Sequence, residues 1–212
     1  MDRRGERGQA TRQHIVGVAT GLFAGQGYEA TSIEAVLRAC GISRGALYHH
    51  FAGKEALFTA VLQAEEQRVA AAVAAAGREA GNPLDALRAG CAAWLRLAAG
   101  DAAVRRIVLQ DAPGVLGWAR WREIDNQCGL GLLKAGLGMA AAAGRLRPEQ
   151  VEPYAHALLA VLIEMAMLVA RAAAADDAML EGQRVVERVL AGLFGLAPQA
   201  PGHAEGPLPP PA

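Results

Sequence analysis

Gly41-Ile42-Ser43-Arg44-Gly45 has the G-x-S-x-G spacing that, on a strand-to-helix turn, presents a serine as the nucleophile of an acyl-transfer enzyme. That chemistry needs an apolar strand ahead of the turn, and an acid and a histidine later in the chain. What precedes Gly41 is Ile33, Val36, Leu37 and Cys40, apolar at i, i+3, i+4 and i+7, which is the period of a short helix. A serine hydrolase using Ser43 is therefore only a remote alternative, and no residue is assigned to catalysis. His49 and His50 form a second reactive pair, but neighbours on a helix project about 100° apart and do not chelate one ion. Cys40, Cys91 and Cys128 are widely spaced with no C-x-x-C pair, the pattern of neither a zinc site nor a disulfide framework. No metal or cofactor is expected.

The elements around these residues suggest a different chemistry. Thr31-Ser32-Ile33-Glu34 reads as a capping box, with Thr31 reaching forward and Glu34 reaching back. The helix it opens closes at Gly41, which supplies a positive φ. Ser43 caps a second short helix whose buried side is Ala46, Leu47 and Phe51, and Gly53-Lys54-Glu55 opens a long helix to about Ala80. Helix, tight turn and helix over about 32–51 is the arrangement in which the second helix enters the major groove of DNA. Its outer row of Arg44, Gly45, Tyr48 and His49 offers donors and a flat ring beside a glycine that permits close approach. Thr31, Ser32, Ser43 and Lys54 lie at helix N-termini, where backbone N–H groups favour phosphate.

The run Thr31-Ser32-Ile33-Glu34-Ala35-Val36-Leu37-Arg38-Ala39-Cys40-Gly41-Ile42-Ser43-Arg44-Gly45-Ala46-Leu47-Tyr48-His49-His50-Phe51, followed by Lys54-Glu55-Ala56-Leu57, resembles the DNA-binding domain of tetracycline-repressor-like (TetR family) regulators. So does the preceding Ala24-Gly25-Gln26-Gly27-Tyr28, and the resemblance covers about Gln9–Ala70. It implies a homodimer in which each subunit carries a reading head and a helical ligand domain, most often a repressor released from a double-stranded DNA operator by a small molecule; here a palindromic operator and a small apolar or amphipathic effector are expected. Carried over, Thr31 and Lys54 would contact phosphates, Arg44, Gly45, Tyr48 and His49 would lie along the groove, and Tyr28 would be structural. A helical DNA-binding regulator without an effector is the alternative.

Composition and charge agree with this reading but would not reveal it. Forty-eight of 212 residues are Ala, the strongest helix former, which points to an all-α chain. Residues 1–58 carry seven basic against five acidic side chains, while the whole chain balances at zero. The polar, Arg-rich start lacks an export signal, so a cytoplasmic protein is expected. Ala157–Ala170 is too short to span a bilayer that needs about 20 residues, so a buried core helix is expected rather than membrane insertion.

The expected organisation is a disordered arm at 1–8, a three-helix head at 9–56, a ligand and dimer domain of about six helices at 57–196, and a disordered tail at 197–212. Within the second domain, Trp94, Trp118, Trp121, Arg122, Asp125 and Glu164 are the candidate pocket residues. The last two helices are apolar on more than one side, so Val161, Met165, Leu168, Val186, Leu190 and Leu193 are the candidate dimer contacts.

Overall fold

The computed structural model describes residues 3–195. Among the described residues the regular elements are all helical. They are α1 (Arg3–Ala30), α2 (Ile33–Cys40), α3 (Arg44–His50), α4 (Lys54–Ala76) and α5 (Pro83–Gly100); then α6 (Ala112–Leu116), α7 (Trp118–Asp125), α8 (Gly131–Ala142), α9 (Val151–Arg171) and α10 (Ala175–Leu193). A π-helical stretch, Val104–Asp111, runs into α6, and another, Asn126–Leu130, joins α7 to α8. Beyond α3 the chain therefore forms six rods, in agreement with the all-α expectation.

Several boundaries move. The arm expected at 1–8 is helical from Arg3 onward, while Met1, Asp2 and the tail at 197–212 lie outside the described residues. A proline inside a helical run ordinarily breaks it, yet here the rod passes Pro113 and ends at Gly117, with φ of 76° and ψ of 155°. Pro113 sits in the first turn of α6, directly after the π-helical stretch. The wider π turn shifts the hydrogen-bond register where a proline ring and missing N–H would break a regular α-helical ladder.

Helices α1 to α3 close around Ile15, Ala19, Phe23, Val36, Leu47 and Phe51, all buried. The first turns of α4 complete this head. Phe58 meets Phe23 edge-on at 5.2 Å and Tyr28 at 5.0 Å, with Leu57, Val61 and Leu62 buried beside it. A boundary at residue 56 thus cuts a helix that serves both parts, and one apolar core runs through head and body.

In the body α9 packs among α5, α8 and α10 and buries Leu158, Leu159, Leu162, Ile163, Ala166 and Val169. By length and composition Pro148–Arg171 is apolar enough to cross a bilayer, longer than the run Ala157–Ala170 suggests. It packs against three other helices on one side and leaves Ala157, Ala160, Glu164 and Leu168 exposed on the other.

Candidate nucleic-acid interface and effector cavity

Ser32, not Thr31, caps α2: its Oγ accepts the Ala35 N–H at 3.1 Å. Thr31 is fully buried, and its hydroxyl donates to the Gly27 carbonyl at 2.7 Å. The expected phosphate contact by Thr31 is corrected accordingly, since its side chain ties the end of α1 to the start of α2 and has no surface to offer. Gly41 takes the left-handed conformation (φ 67°, ψ 31°), and its N–H closes α2 on the Leu37 carbonyl. Ser43 caps α3 by accepting the Ala46 N–H at 3.2 Å, so it stands between two helices with its hydroxyl engaged, unlike a strand-borne nucleophile.

Leu47 anchors the inner side of α3. Arg44, Gly45, Tyr48 and His49 share the outer side, with Tyr48 45% exposed. Arg44 is paired with Glu34 of α2, so the two helices of the motif are linked across their exposed surface. His50 turns inward beside Phe51, which separates it in role from His49. Lys54 opens α4 with its ammonium 4.1 Å from the centre of the Tyr28 ring and bonded to the Glu29 carbonyl. Gly53 contributes no side-chain cap there.

The body holds a cavity of about 540 Å³ between α4, α5, α8 and α9, open to solvent on one side. Its lining is mainly apolar, including Val69, Val73, Leu87, Leu133, Leu159 and Ile163. Of the residues expected from sequence, Trp94 and Asp125 line it. Trp94 is fixed by a hydrogen bond from its Nε1 to the Leu162 carbonyl at 3.2 Å.

The other four are corrected. Trp118 is on the surface at 59% exposure, Trp121 is packed in the core edge-on to Trp118, and Glu164 is exposed on the far side of α9. Arg122 stands behind the wall, where its Nη1 holds Asp125 at 2.9 Å.

Sequence reasoning missed Glu66, which lines the cavity at 3% exposure and whose Oε1 lacks a hydrogen-bond partner among the described residues. Within Gln63-Ala64-Glu65-Glu66-Gln67-Arg68 it looks like part of a solvated face. The signal lay in the period: Val61, Leu62, Glu65, Glu66 and Val69 recur on one helical side, and all five are buried.

Burial, reinforced by the charges of Asp125 and Glu65, pushes the Glu66 carboxyl up to about 8. Burial likewise raises Asp125 to about 6, against the pull of Arg122. The Cys128 thiol faces both acids and is raised by the same causes.

A stability prediction follows from Glu66. The folded state keeps this proton up to about 8, whereas the unfolded chain releases it near the ordinary value of 4.5, so stability is lost as pH rises through that window. Glu66→Gln removes the penalty and should stabilise the ligand-free protein by roughly 2–3 kcal/mol at neutral pH, with the gain fading toward pH 5. Denaturant titrations of both proteins at pH 5, 6, 7 and 8 check it, and a pH-independent difference would contradict it.

Head and body are also joined by a polar hinge. Asp111, at the end of the π-helical stretch, accepts the Tyr28 N–H at 2.7 Å and the Arg106 Nε–H at 3.3 Å. Arg106 lies over Gly27, whose φ of 82° and lack of a Cβ make room; a Cβ there would collide with its guanidinium.

The candidate dimer residues divide. Val186 and Leu190 are buried against their own chain and are corrected to core, while Val161, Met165 and Leu193 are half-buried. Leu168 is 52% exposed and shares the outward side of α9 with Ala157, Ala160 and Glu164.

This is a helix-turn-helix head on a hollow helical body. A family model described as bacterial regulatory proteins, tetR family, matches residues 15–61, and one described as tetracyclin repressor-like, C-terminal domain, matches residues 84–193. The chain belongs to the TetR family of helix-turn-helix transcriptional regulators.

It is 38% identical over 71 residues to the transcriptional regulator UidR of Escherichia coli, a match covering 34% of this chain and 36% of that protein. The match thus spans about a third of that relative's length. A TetR-family regulator of Pectobacterium atrosepticum superposes with a TM-score of 0.81 at 26% identity, covering 94% of this chain and 100% of the other. A complex of SmeT with triclosan shares the fold at a TM-score of 0.70 and 23% identity, covering 95% and 100%.

Proposed function

We propose that this regulator is a repressor that binds a palindromic operator as a homodimer and is released by a small amphipathic effector. The reading places Arg44, Gly45, Tyr48 and His49 along the major groove, with Ser32, Ser43 and Lys54 beside phosphates. The observation that carries the release step is the continuity of α4. Its first residue, Lys54, abuts the head, its next turns complete the head's core, and its later turns from Glu66 to Ala74 wall the cavity. A ligand that displaces this wall moves the rod on which the head is mounted. SmeT, which has the same fold, is seen in complex with triclosan, a precedent for a small molecule bound by such a chain.

To act, the effector must bind the DNA-bound and released conformations with different affinity. The hinge at Asp111 is where that difference would reach the head. Asp111→Ala should leave effector binding within a few-fold of wild type while removing about 1 kcal/mol or more of its coupling to operator affinity.

Operator fragments selected from the source genome, with fluorescence anisotropy measured with and without screened compounds, test this reading. A compound that binds the cavity and lowers operator affinity supports it. Binding in the cavity by compounds that never shift operator affinity would favour a regulator without an effector. Trp94 supplies the reporter, because it touches the cavity. Trp94→Phe should abolish the effector-dependent change in indole emission.

A further inference from the structure

The cavity is long as well as apolar. Its α4 wall uses Glu66, Val69, Ala70, Val73 and Ala74, a helical stripe of about 12 Å at 1.5 Å per residue, and Gly77 and Arg78 extend it past the helix end. Polar groups gather at the two ends of that stripe. Arg78, with Asn82 nearby, is exposed and marks one end, whereas Glu66 and Asp125 are deeply buried at the other.

The buried end is unusual. Among the described residues Glu66 has a carboxyl oxygen without any hydrogen-bond partner, and Asp125, from the end of α7, and Cys128 line the cavity with it. The one cation in this group, Arg122, already holds Asp125 from behind the wall. Gly129 leaves space beside Asp125, since a Cβ on it would lie 3.6 Å from Oδ1 and 3.4 Å from a Leu159 methyl. An unpaired buried acid costs stability and contributes no internal contact in return, so the chain itself supplies no reason for a carboxylate at position 66.

We propose that the effector is an amphipathic monocation, an amine whose ammonium group sits between Glu66 and Asp125 and whose apolar tail extends along α4 toward Arg78. This rests on the effector reading above and specifies the ligand class for the same cavity. With Glu66 ionised, two acids against one committed arginine leave one negative charge for a ligand to balance, and an ammonium group supplies both that balancing charge and the N–H donors that the orphaned oxygen lacks. The apolar stripe between the ends accommodates a chain of about ten carbons. When the cation binds, Glu66 gives its proton to solvent, so charge is balanced within the site.

The test varies the head group on a constant tail. Decylammonium, decanol and decanoate are titrated into the purified full-length protein at pH 7 by isothermal calorimetry, with Trp94 emission as a second readout. Decylammonium should bind at least tenfold more tightly than decanol, with decanoate weakest. Glu66→Gln should weaken decylammonium tenfold or more and leave decanol within threefold, which also shows that the cavity is intact. Asp125→Asn should weaken the cation in the same direction and carries the comparison if Glu66→Gln does not fold.

Decanoate binding most tightly would place the charged head at Arg78 and overturn the proposal, as would decanol matching decylammonium. Parallel measurement of operator release separates the two levels. If decanoate wins and still releases DNA, the ligand class is wrong and the effector reading survives. If decylammonium wins without changing operator affinity, the ligand class holds and the release step fails.

Discussion

Tyr48→Ala and Arg44→Ala should each lose about 1–3 kcal/mol of specific operator binding, roughly tenfold to more than a hundredfold in affinity, while the helical fold and ligand binding stay intact. Both side chains stand on the exposed side of α3, whose opposite side is anchored by Leu47, so truncation removes contact surface without opening the core. The effect should be confined to the cognate sequence. Lys54→Ala makes the contrast, because a lysine beside a phosphate weakens all sequences alike and lowers the salt dependence by about one counterion. Anisotropy titrations with specific and scrambled duplexes at several salt concentrations distinguish the two patterns. Glu34 refines the picture: it pairs with Arg44 in the free protein, so Glu34→Gln should release that guanidinium and tighten binding to any duplex.

Leu168→Arg should convert the protein into a monomer at micromolar concentration and reduce operator affinity by a hundredfold or more. Leu168 is the large apolar side chain left outward on α9, beside the small Ala157 and Ala160 that allow a second helix to approach closely. A stable two-fold interface needs at least about 800 Å² per partner, and an arginine at its centre would replace the apolar contact of Leu168 with a long charged side chain whose desolvation costs stability even when Glu164, one turn away, pairs with it. Because two heads must reach half-sites about 34 Å apart on one face of the DNA, losing the dimer removes half of the contacts at once. Ultracentrifugation and operator binding on the same samples check both parts. A variant that remains dimeric would move the interface elsewhere. Leu193, which the sequence offers as an equivalent position, is half-buried on its own chain and makes a less selective test.

The head was more legible in the sequence than the body for physical reasons. Local chemistry specifies a helix-turn-helix motif: Gly41 for the left-handed turn, Ser43 for the cap, and Leu47 and Phe51 for the inner side. Each could be placed from its near neighbours. Even so, the cap assignment slipped by one residue. Thr31 and Ser32 are chemically interchangeable as caps, and only the packing of α1 against α2 decides which hydroxyl is buried.

The cavity depends on how distant helices meet, which no short spacing encodes. Tryptophans suggested a wall, yet Trp118 and Trp121, three residues apart, end respectively on the surface and in the core. Glu66 was hidden by its charged neighbours, and recognising it required weighing the apolar period of α4 above the polarity of the residue. The dimer candidates show the same limit. Val186 and Leu190 lie on an apolar stripe of α10, but a stripe alone does not tell whether its own core or a second chain covers it.

The central claim is that α3 of a dimeric head reads a defined DNA sequence, and selection of genomic fragments by the purified protein, followed by footprinting, tests it most directly. The account predicts enrichment of a few fragments, each protected over a two-fold symmetric site with half-sites one DNA turn or a multiple apart, and loss of that enrichment in the Arg44→Ala, Tyr48→Ala double variant. Equal recovery of fragments by wild type and double variant, or protection without two-fold symmetry, would contradict it.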